Sequence, residues 1–402
     1  KEASNQMRGD PLFLQGLQLE HDFASINAEI TAKGWLFNSK AAEELKDELI
    51  WKMHSIEDEL EPKIGSICVR KGSKEVDKVV KKNGGYYKNV IDWFELDPEV
   101  KASEGSVSGP YSKIEIKPIQ LGQLALVKKY LTDIGWKPDD WTAKKIGNKW
   151  VNQSPKLTDS SLEPLGLVGK MIGKYYMLRQ RLAVVEGWLD IVELWGDGRL
   201  HGDMFCIGTP SFRCRHRGIV NIPGVHASYG KELRSLLTCE KGHKLVGADS
   251  AGNQFRGLAH YMKDDKFTAS VVTGKESDGT DAHSRNASIL GISRSKAKSF
   301  IYAYLFGAGV AKLGEVITGL KSPKAGKIAD AKFSEAFPLL KELKDDLIYE
   351  FNHNKMKTGI GFIKGADGRR IFVGSEHQLL NYLLQTLEGI TCKTALVYQY
   401  KA

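Results

Sequence analysis

Arg294, Lys298, Tyr302 and Phe306 recur at intervals of four in RSKAKSFIYAYLFGAG. In a helix each step of four overshoots a full turn by about 40°, so these side chains form one slowly drifting stripe. Two cations come first, then two aromatic rings. Cations beside a helix start, with Ser293 as the cap, can grip a phosphate chain together with the free backbone N–H groups there. Flat rings one and two turns on can face nucleobases. The plainer alternative is an amphipathic helix with cations outside and rings in a core, which would separate the two classes. His283 precedes Arg294 by eleven positions. That is about three turns and hence the same face of a continuous helix, although Gly291 interrupts it. It can meet another phosphate oxygen or be an ordinary surface histidine.

Asp249 ends the apolar run KLVGAD, which reads as a short strand delivering a carboxylate to the turn Ser250-Ala251-Gly252. There it can hold a hard cation such as Mg²⁺, which prefers oxygen ligands, or cap the helix GNQFRGLAHYM that follows. HQLLNYLLQT sets His377, Asn381 and Gln385 at i, i+4 and i+8. Such a row of donors and acceptors suits the uniform acceptors of a minor groove, and is also what a plain polar helix face looks like.

The elements that position these residues follow from periodicity. LQLEHDFASINAEITAKG predicts a helix stopped by Gly34, and Lys40 to Leu60 a second one, with Pro62 beyond it. From 62 to about 105 periodicity is lost. Between Lys63 and Lys88 eight basic residues (Lys63, Arg70, Lys71, Lys74, Lys78, Lys81, Lys82, Lys88) face two acids, Glu75 and Asp77. The segment is either a solvated loop or an arm that rides on phosphates. Residues 120–200 read as helix again, 201–250 as strands and turns, 283–320 and 333–352 as helices, and 359–376 as strand and turn, with a last helix from near Glu376. At 402 residues the chain suits two or three domains. Its +9 net charge fits a polyanionic partner. The longest nearly apolar run, Phe300–Ala311, is too short to cross a bilayer. Five scattered cysteines without a CxxC pair argue against a disulfide framework or structural zinc and for a reducing compartment.

GADSAGNQFRGLAHYM resembles motif A of the family A (polymerase I type) DNA polymerases, and RSKAKSFIYAYLFGAG resembles their motif B, the O-helix. The order of elements, with DAHS between them and HQLLNYLLQ after, is similar to the short phage replicases of that family. The likeness extends upstream through GRLHGDMFCIGTPSFRCRHRGIVNIPG and, more weakly, to LEHDFASINAEITAKG. It implies an α+β right-hand fold of thumb, palm and fingers, mostly helical with a small antiparallel palm sheet. Thumb and palm lead-in would be 1–200 with a basic insert at 62–105, palm 201–261, fingers 262–376, and 377–402 a partial return to an incomplete palm. It implies template-directed addition of dNTPs to a primer 3′ end by two-metal phosphoryl transfer with two Mg²⁺ ions. Asp249 and the Ser250 carbonyl match metal contacts. His283, Arg294 and Lys298 match the triphosphate holders, Lys298 and Arg294 acting with Asp249 in catalysis. Tyr302 matches the ring that packs on the new nucleotide, and Phe306 the ring near the template base. His377, Asn381 and Gln385 match primer-template contacts.

The chain departs from the family pattern in three places. Gln254 stands where the family usually has a Glu that packs under the sugar and helps exclude ribose. Thr209-Pro210-Ser211 replaces a TGR-like turn, so Arg213 or Arg215 is expected to make that primer contact. The third motif, a His-Asp-Glu carrying the second metal carboxylate, has no counterpart; the only His-Asp, His21-Asp22, lies in the N-terminal helical region. Together with a start at Lys1 and an end inside an apolar run, this predicts a fragment or one piece of a split enzyme, also lacking the exonuclease domain. Expected partners are primer-template DNA, dNTPs, a processivity factor at 62–105 and a separate chain carrying the missing palm segment, with no membrane. A phage origin would put the protein in the bacterial host cytoplasm. The alternative is a non-catalytic primer-template-binding protein derived from a polymerase.

Overall fold

The computed structural model describes residues 10–71, 79–102, 114–147 and 149–402. Lys74, Glu75, Asp77 and Lys78 of the basic segment lie outside these. The chain divides into two compact units, Ser39–Gly187, and Lys1–Asn38 with Trp188–Ala402. In chain order the elements begin with α1 (Pro11–Lys33), β1 (Trp35–Phe37), α2 (Ser39–Ile64), β2 (Ser66–Arg70), α3 (Lys88–Phe94) and β3 (Ile114–Pro118). Then come α4 (Leu124–Asp133), β4 (Trp141–Ile146), β5 (Lys149–Pro155), α5 (Asp159–Leu162) and α6 (Gly166–Trp195). The strands β6 (Arg199–Leu200), β7 (Asp203–Phe205) and β8 (Arg215–Arg217) precede α7 (Gly230–Ser235) and β9 (Leu237–Thr238). The remainder is α8 (Asn253–Met262), α9 (Asp265–Val272), α10 (Ala282–Leu290), α11 (Arg294–Leu305), α12 (Val310–Thr318), α13 (Pro323–Ala336), α14 (Pro338–Thr358), β10 (Phe362–Lys364), β11 (Arg370–Phe372) and α15 (Leu379–Lys401).

In the smaller unit α2 buries Ala42, Leu45, Leu49, Met53, Ile56, Leu60 and Ile64. These recur every three or four residues and make one apolar stripe. Pro62 lies inside this helix rather than beyond it. Glu57 and Glu61 point inward, where Glu57 accepts from the Tyr175 hydroxyl at 2.7 Å and Glu61 from the Leu121 amide at 2.6 Å. Helix does not fill 120–200 as its composition suggested. β4 and β5 form an antiparallel hairpin whose register runs from Trp141 opposite Pro155 to Ile146 opposite Lys149. Alternating side chains on a two-stranded ribbon carry little apolar periodicity, and Gly147 with φ +61° makes the turn.

The larger unit holds a three-stranded antiparallel sheet in the order β6-β1-β9, the β7–β8 hairpin and the β10–β11 hairpin. Its main core runs from Phe255 and Leu258 on α8 through Phe300 and Ile301 on α11 and Phe333 on α13 to Leu383 and Leu384 on α15. The expected strand Lys244–Asp249 is not formed. This segment is irregular and exposed, Val246 by 86 %. An extended segment becomes a strand only when a neighbour completes its backbone hydrogen bonds, and none of the described strands pairs with it.

A buried ion cluster joins distant parts of this unit. Lys393 on α15 donates to both Glu20 oxygens (2.8 and 2.7 Å) and to the Cys206 and Phe212 carbonyls (2.9 and 3.1 Å). Arg369, beside β11, donates to Glu20 at 2.7 Å and grips Asp367. The Lys393 side chain is 2 % exposed and that of Glu20 10 %. Removing one member of such a cluster strands buried charge. Glu20→Ala is therefore expected to cost about 3–5 kcal/mol in urea unfolding of this unit. A loss under about 1 kcal/mol would mean that the carbonyls and Asp367 suffice.

Candidate active site

α11 begins at its Ser293 cap, whose hydroxyl accepts from the Lys296 amide at 3.4 Å. Its buried face is Ala297, Phe300, Ile301, Tyr304 and Leu305. The stripe Arg294, Lys298, Tyr302 and Phe306 therefore lies off the core face, with Lys298 and Phe306 exposed and Arg294 and Tyr302 half-buried. Of the four only Tyr302 packs against the core. Gly291, with φ +69°, ends α10, so His283 belongs to a separate helix. His283 nonetheless reaches the stripe. Its ring is 6.2 Å from that of Tyr302, and Phe255 of α8 meets both edge-on, at 5.0 and 5.4 Å.

Electrostatics bind the same residues. Burial first, then Arg294 and Lys298, hold His283 below the usual histidine range, against the opposing pull of Asp281. The imidazole is thus neutral at pH 7, with Nδ1 buried and without a hydrogen-bond partner among the described residues. Arg294 donates to Asp281 at 3.1 Å and pairs with Glu276 at 3.1 Å. Burial pushes Asp281 up, but bonds from Ser284, Arg294 and the His283 amide outweigh it and hold the carboxyl at about 2. The sequence reading missed Asp281. It caps α10, its side chain accepting from the His283 amide at 3.1 Å.

α11 ends on Phe306 and Gly307. A Cβ at Gly307 would lie 2.2 Å from the His377 carbonyl, and its φ is +75°. Only glycine lets the two segments approach so closely. His377 sits in a short 3₁₀ turn before α15, and Asn381 and Gln385 follow on the helix. Gln385 donates to Asn381 at 2.8 Å and accepts from Ser211 at 2.8 Å. The Thr209-Pro210-Ser211 turn, in which Thr209 accepts from the Arg213 amide at 3.0 Å, thereby docks on α15. Arg213 lines a cavity of about 600 Å³ with Gln385, Glu388 and Cys392. Arg215 points elsewhere, stacking over Phe205 at 4.8 Å. Gln254 donates to Glu388 at 3.1 Å, and Arg213 pairs with Glu388 at 3.7 Å. Glu388 was also missed, although it lies on the Gln385 face of α15, three positions on.

Asp249 and Ser250 are exposed in the irregular segment before α8. Among the described residues no three His, Cys, Asp or Glu side chains come together to hold a metal ion. A two-ion centre needs bridging carboxylates, and Asp249 alone does not fit it. No helix among the described residues is long and apolar enough to cross a membrane.

Comparison with known proteins settles the family. The model of DNA polymerase family A matches residues 139–393. The chain belongs to DNA polymerase family A. The DNA-directed DNA polymerases of Escherichia phage T7 and Enterobacteria phage T3 are each 27 % identical over 435 residues, covering 96 % of this chain and 59 % of the relative. That of Escherichia phage Phieco32 is 25 % identical, covering 81 % of this chain and 67 % of its own. The chain thus spans about 59 % of the length of the T7 and T3 relatives. The fold resembles the POL domain of Pol1 from M. smegmatis, solved in complex with DNA primer-template and dNTP, with TM-score 0.63, 16 % identity and coverage of 94 % of this chain and 59 % of that one. The mostly helical α+β architecture resembles that POL domain.

Asp281 loses its proton more readily folded, at about 2, than unfolded, at about 3.9. Its stabilising contribution is therefore complete above the unfolded value and is lost as pH falls through the folded one. Thermal unfolding of wild type and Asp281→Asn should differ above about pH 4 and converge towards about pH 2. A gap that stays constant across that range would show that the carboxylate charge does not matter there.

Proposed function

We propose that this chain carries the nucleotide-selecting and primer-template-binding core of a template-directed DNA polymerase, adding dNTPs to a primer 3′ end. The observation that carries the reading is the convergence of Arg294, Lys298 and Tyr302 on one face of α11 with His283 from α10. Two cations and a neutral imidazole offer a triphosphate several donors on one side, and the Tyr302 and Phe306 rings offer bases a flat partner. In this reading Arg213, Asn381, Gln385 and His377 line the primer-template track and Arg215 flanks it. Gln254 lies beneath the incoming sugar. Residues 1–200 would be the thumb and the lead-in to the palm, with 62–105 as the insert and the seat of a processivity factor. The palm would be 201–261 with 377–402, and the fingers 262–376.

Two Mg²⁺ ions are the expected cofactors. Asp249 and the Ser250 carbonyl would be ligands in a set completed by a carboxylate from outside the described residues, for which a separate chain is one source. A second reading, a primer-template-binding protein without catalysis, is favoured by one observation: among the described residues Asp249 belongs to no group of three or more metal-ligating side chains.

Single-nucleotide primer extension with Mg²⁺, with primer-template binding followed in the same samples, separates the two readings. Extension supports the enzyme; binding without extension supports the second reading. Lys298→Ala removes a charged donor, which is worth about 1.5–3 kcal/mol. It should weaken nucleotide use or nucleotide-dependent binding by about 10–100-fold and primer-template affinity by less than about threefold. Equal losses in both would remove Lys298 from the triphosphate site.

A further inference from the structure

We propose that Glu388 on α15 sets sugar selection at this site by fixing the Gln254 side chain, an inference that rests on the polymerase reading above. An amide can present either its oxygen or its nitrogen, and its surroundings decide which. Here Gln254 Nε2 donates to Glu388 Oε2 at 3.1 Å. That bond turns Oε1 the other way, where it is buried without a hydrogen-bond partner among the described residues. Glu388 is itself held by Arg213 at 3.7 Å and its side chain is 24 % exposed. Its charge also reaches Tyr302, whose hydroxyl is pushed above the ordinary tyrosine range by burial first and by Glu388 second. Gln254 follows directly on the start of α8 at Asn253, and its neighbour Phe255 meets the Tyr302 ring edge-on at 5.4 Å. Through Glu388, whose charge reaches Tyr302, the amide is tied to the neighbourhood of the ring that would stack on a nucleotide, and in this proposal it forms a wall there.

An anchored side chain leaves no space for an additional oxygen on a sugar, since crowding a packed site strains its walls. A ribonucleotide brings that additional oxygen and a deoxyribonucleotide does not. With the anchor gone, the amide is free to rotate away or to flip and present its NH₂ end, and the wall gives. Glu388 is thus a positioning residue that acts through Gln254. The pair has the same donor and acceptor if its members are exchanged, because a glutamate at 254 can accept from a glutamine at 388. Gln254→Glu alone instead sets two carboxylates against each other.

The test reads binding, so it does not depend on catalysis. The chain is loaded with labelled primer-template whose primer ends in a dideoxynucleotide and whose next template base is dT, and dATP and ATP are titrated in turn. Wild type should favour dATP by at least about tenfold. Glu388→Ala and Gln254→Glu should each bring the two affinities to within about threefold, chiefly by tightening ATP. Glu388→Gln, which preserves shape, should give an intermediate ratio. The double exchange Gln254→Glu with Glu388→Gln should restore wild-type preference to within about threefold. An unchanged ratio in Glu388→Ala and Glu388→Gln, a double exchange no better than Gln254→Glu, or a wild type indifferent to the sugar would each overturn the proposal and leave the polymerase reading intact. No template-directed nucleotide binding by wild type would overturn both.

Discussion

The Glu20 carboxylate is the point on which the larger unit turns. It is the buried acceptor shared by two buried cations, Lys393 and Arg369, which come from elements more than 340 residues away in the chain. A buried ammonium is tolerable only where its protons are all accepted, and Lys393 meets that demand with Glu20 and the Cys206 and Phe212 carbonyls. This ties α1, the 206–212 loop and the β10–β11 hairpin to one turn of α15. Nearby contacts leave little slack: a Cβ at Gly16 would fall 2.5 Å from the Asp367 carboxylate. The rotation of α15 about its axis is thereby fixed.

That rotation decides what the rest of α15 can do. With Lys393 turned inward, Gln385 meets Ser211, Thr386 donates to the Ser211 carbonyl at 3.1 Å, and Glu388 faces Gln254 and Arg213. The Thr209-Pro210-Ser211 turn is seated by the same helix, which keeps Arg213 at the rim of the cavity and leaves Arg215 on the β8 strand. A helix anchored at one buried charge thus sets the geometry of its polar side chains along several turns.

Much of this could be read in the sequence wherever a residue's role depends on its near neighbours. The spacing of Arg294, Lys298, Tyr302 and Phe306 foretold one stripe, and the stripe is off the core face because Phe300, Ile301 and Tyr304 take that face. The stops at Gly34 and Gly291 were legible for the same local reason. What failed depended on partners distant in the chain. KLVGAD has the composition of a strand, but no described strand completes its hydrogen bonds. Glu388 looked like one more polar residue on a helix because its meaning lies in a contact 134 positions away. Asp281 went unread because its task of holding Arg294 spans a helix break. Lys393 and Glu20 carried no signal, since a charge bound for the interior looks in sequence like any surface charge.

The state of Arg294 shows how the proposed triphosphate cradle can be prepared before a ligand comes. Its guanidinium is held by Asp281, deep enough in a polar cage that the carboxylate stays ionised to about pH 2, and by the more exposed Glu276. These two bonds differ in what a phosphate must displace. Asp281 is 13 % exposed and fixed by the α10 cap, so it keeps its bond and orients the guanidinium; Glu276 is 69 % exposed and is bound only weakly, as surface ion pairs are. In the proposed site an incoming phosphate would exchange with Glu276 at small cost, while the Asp281 bond has already restricted the long Arg side chain. Lys298, one turn on and exposed, needs no such exchange. The site then divides its work between a pre-positioned fork and a mobile point charge, which matches the different geometries of arginine and lysine.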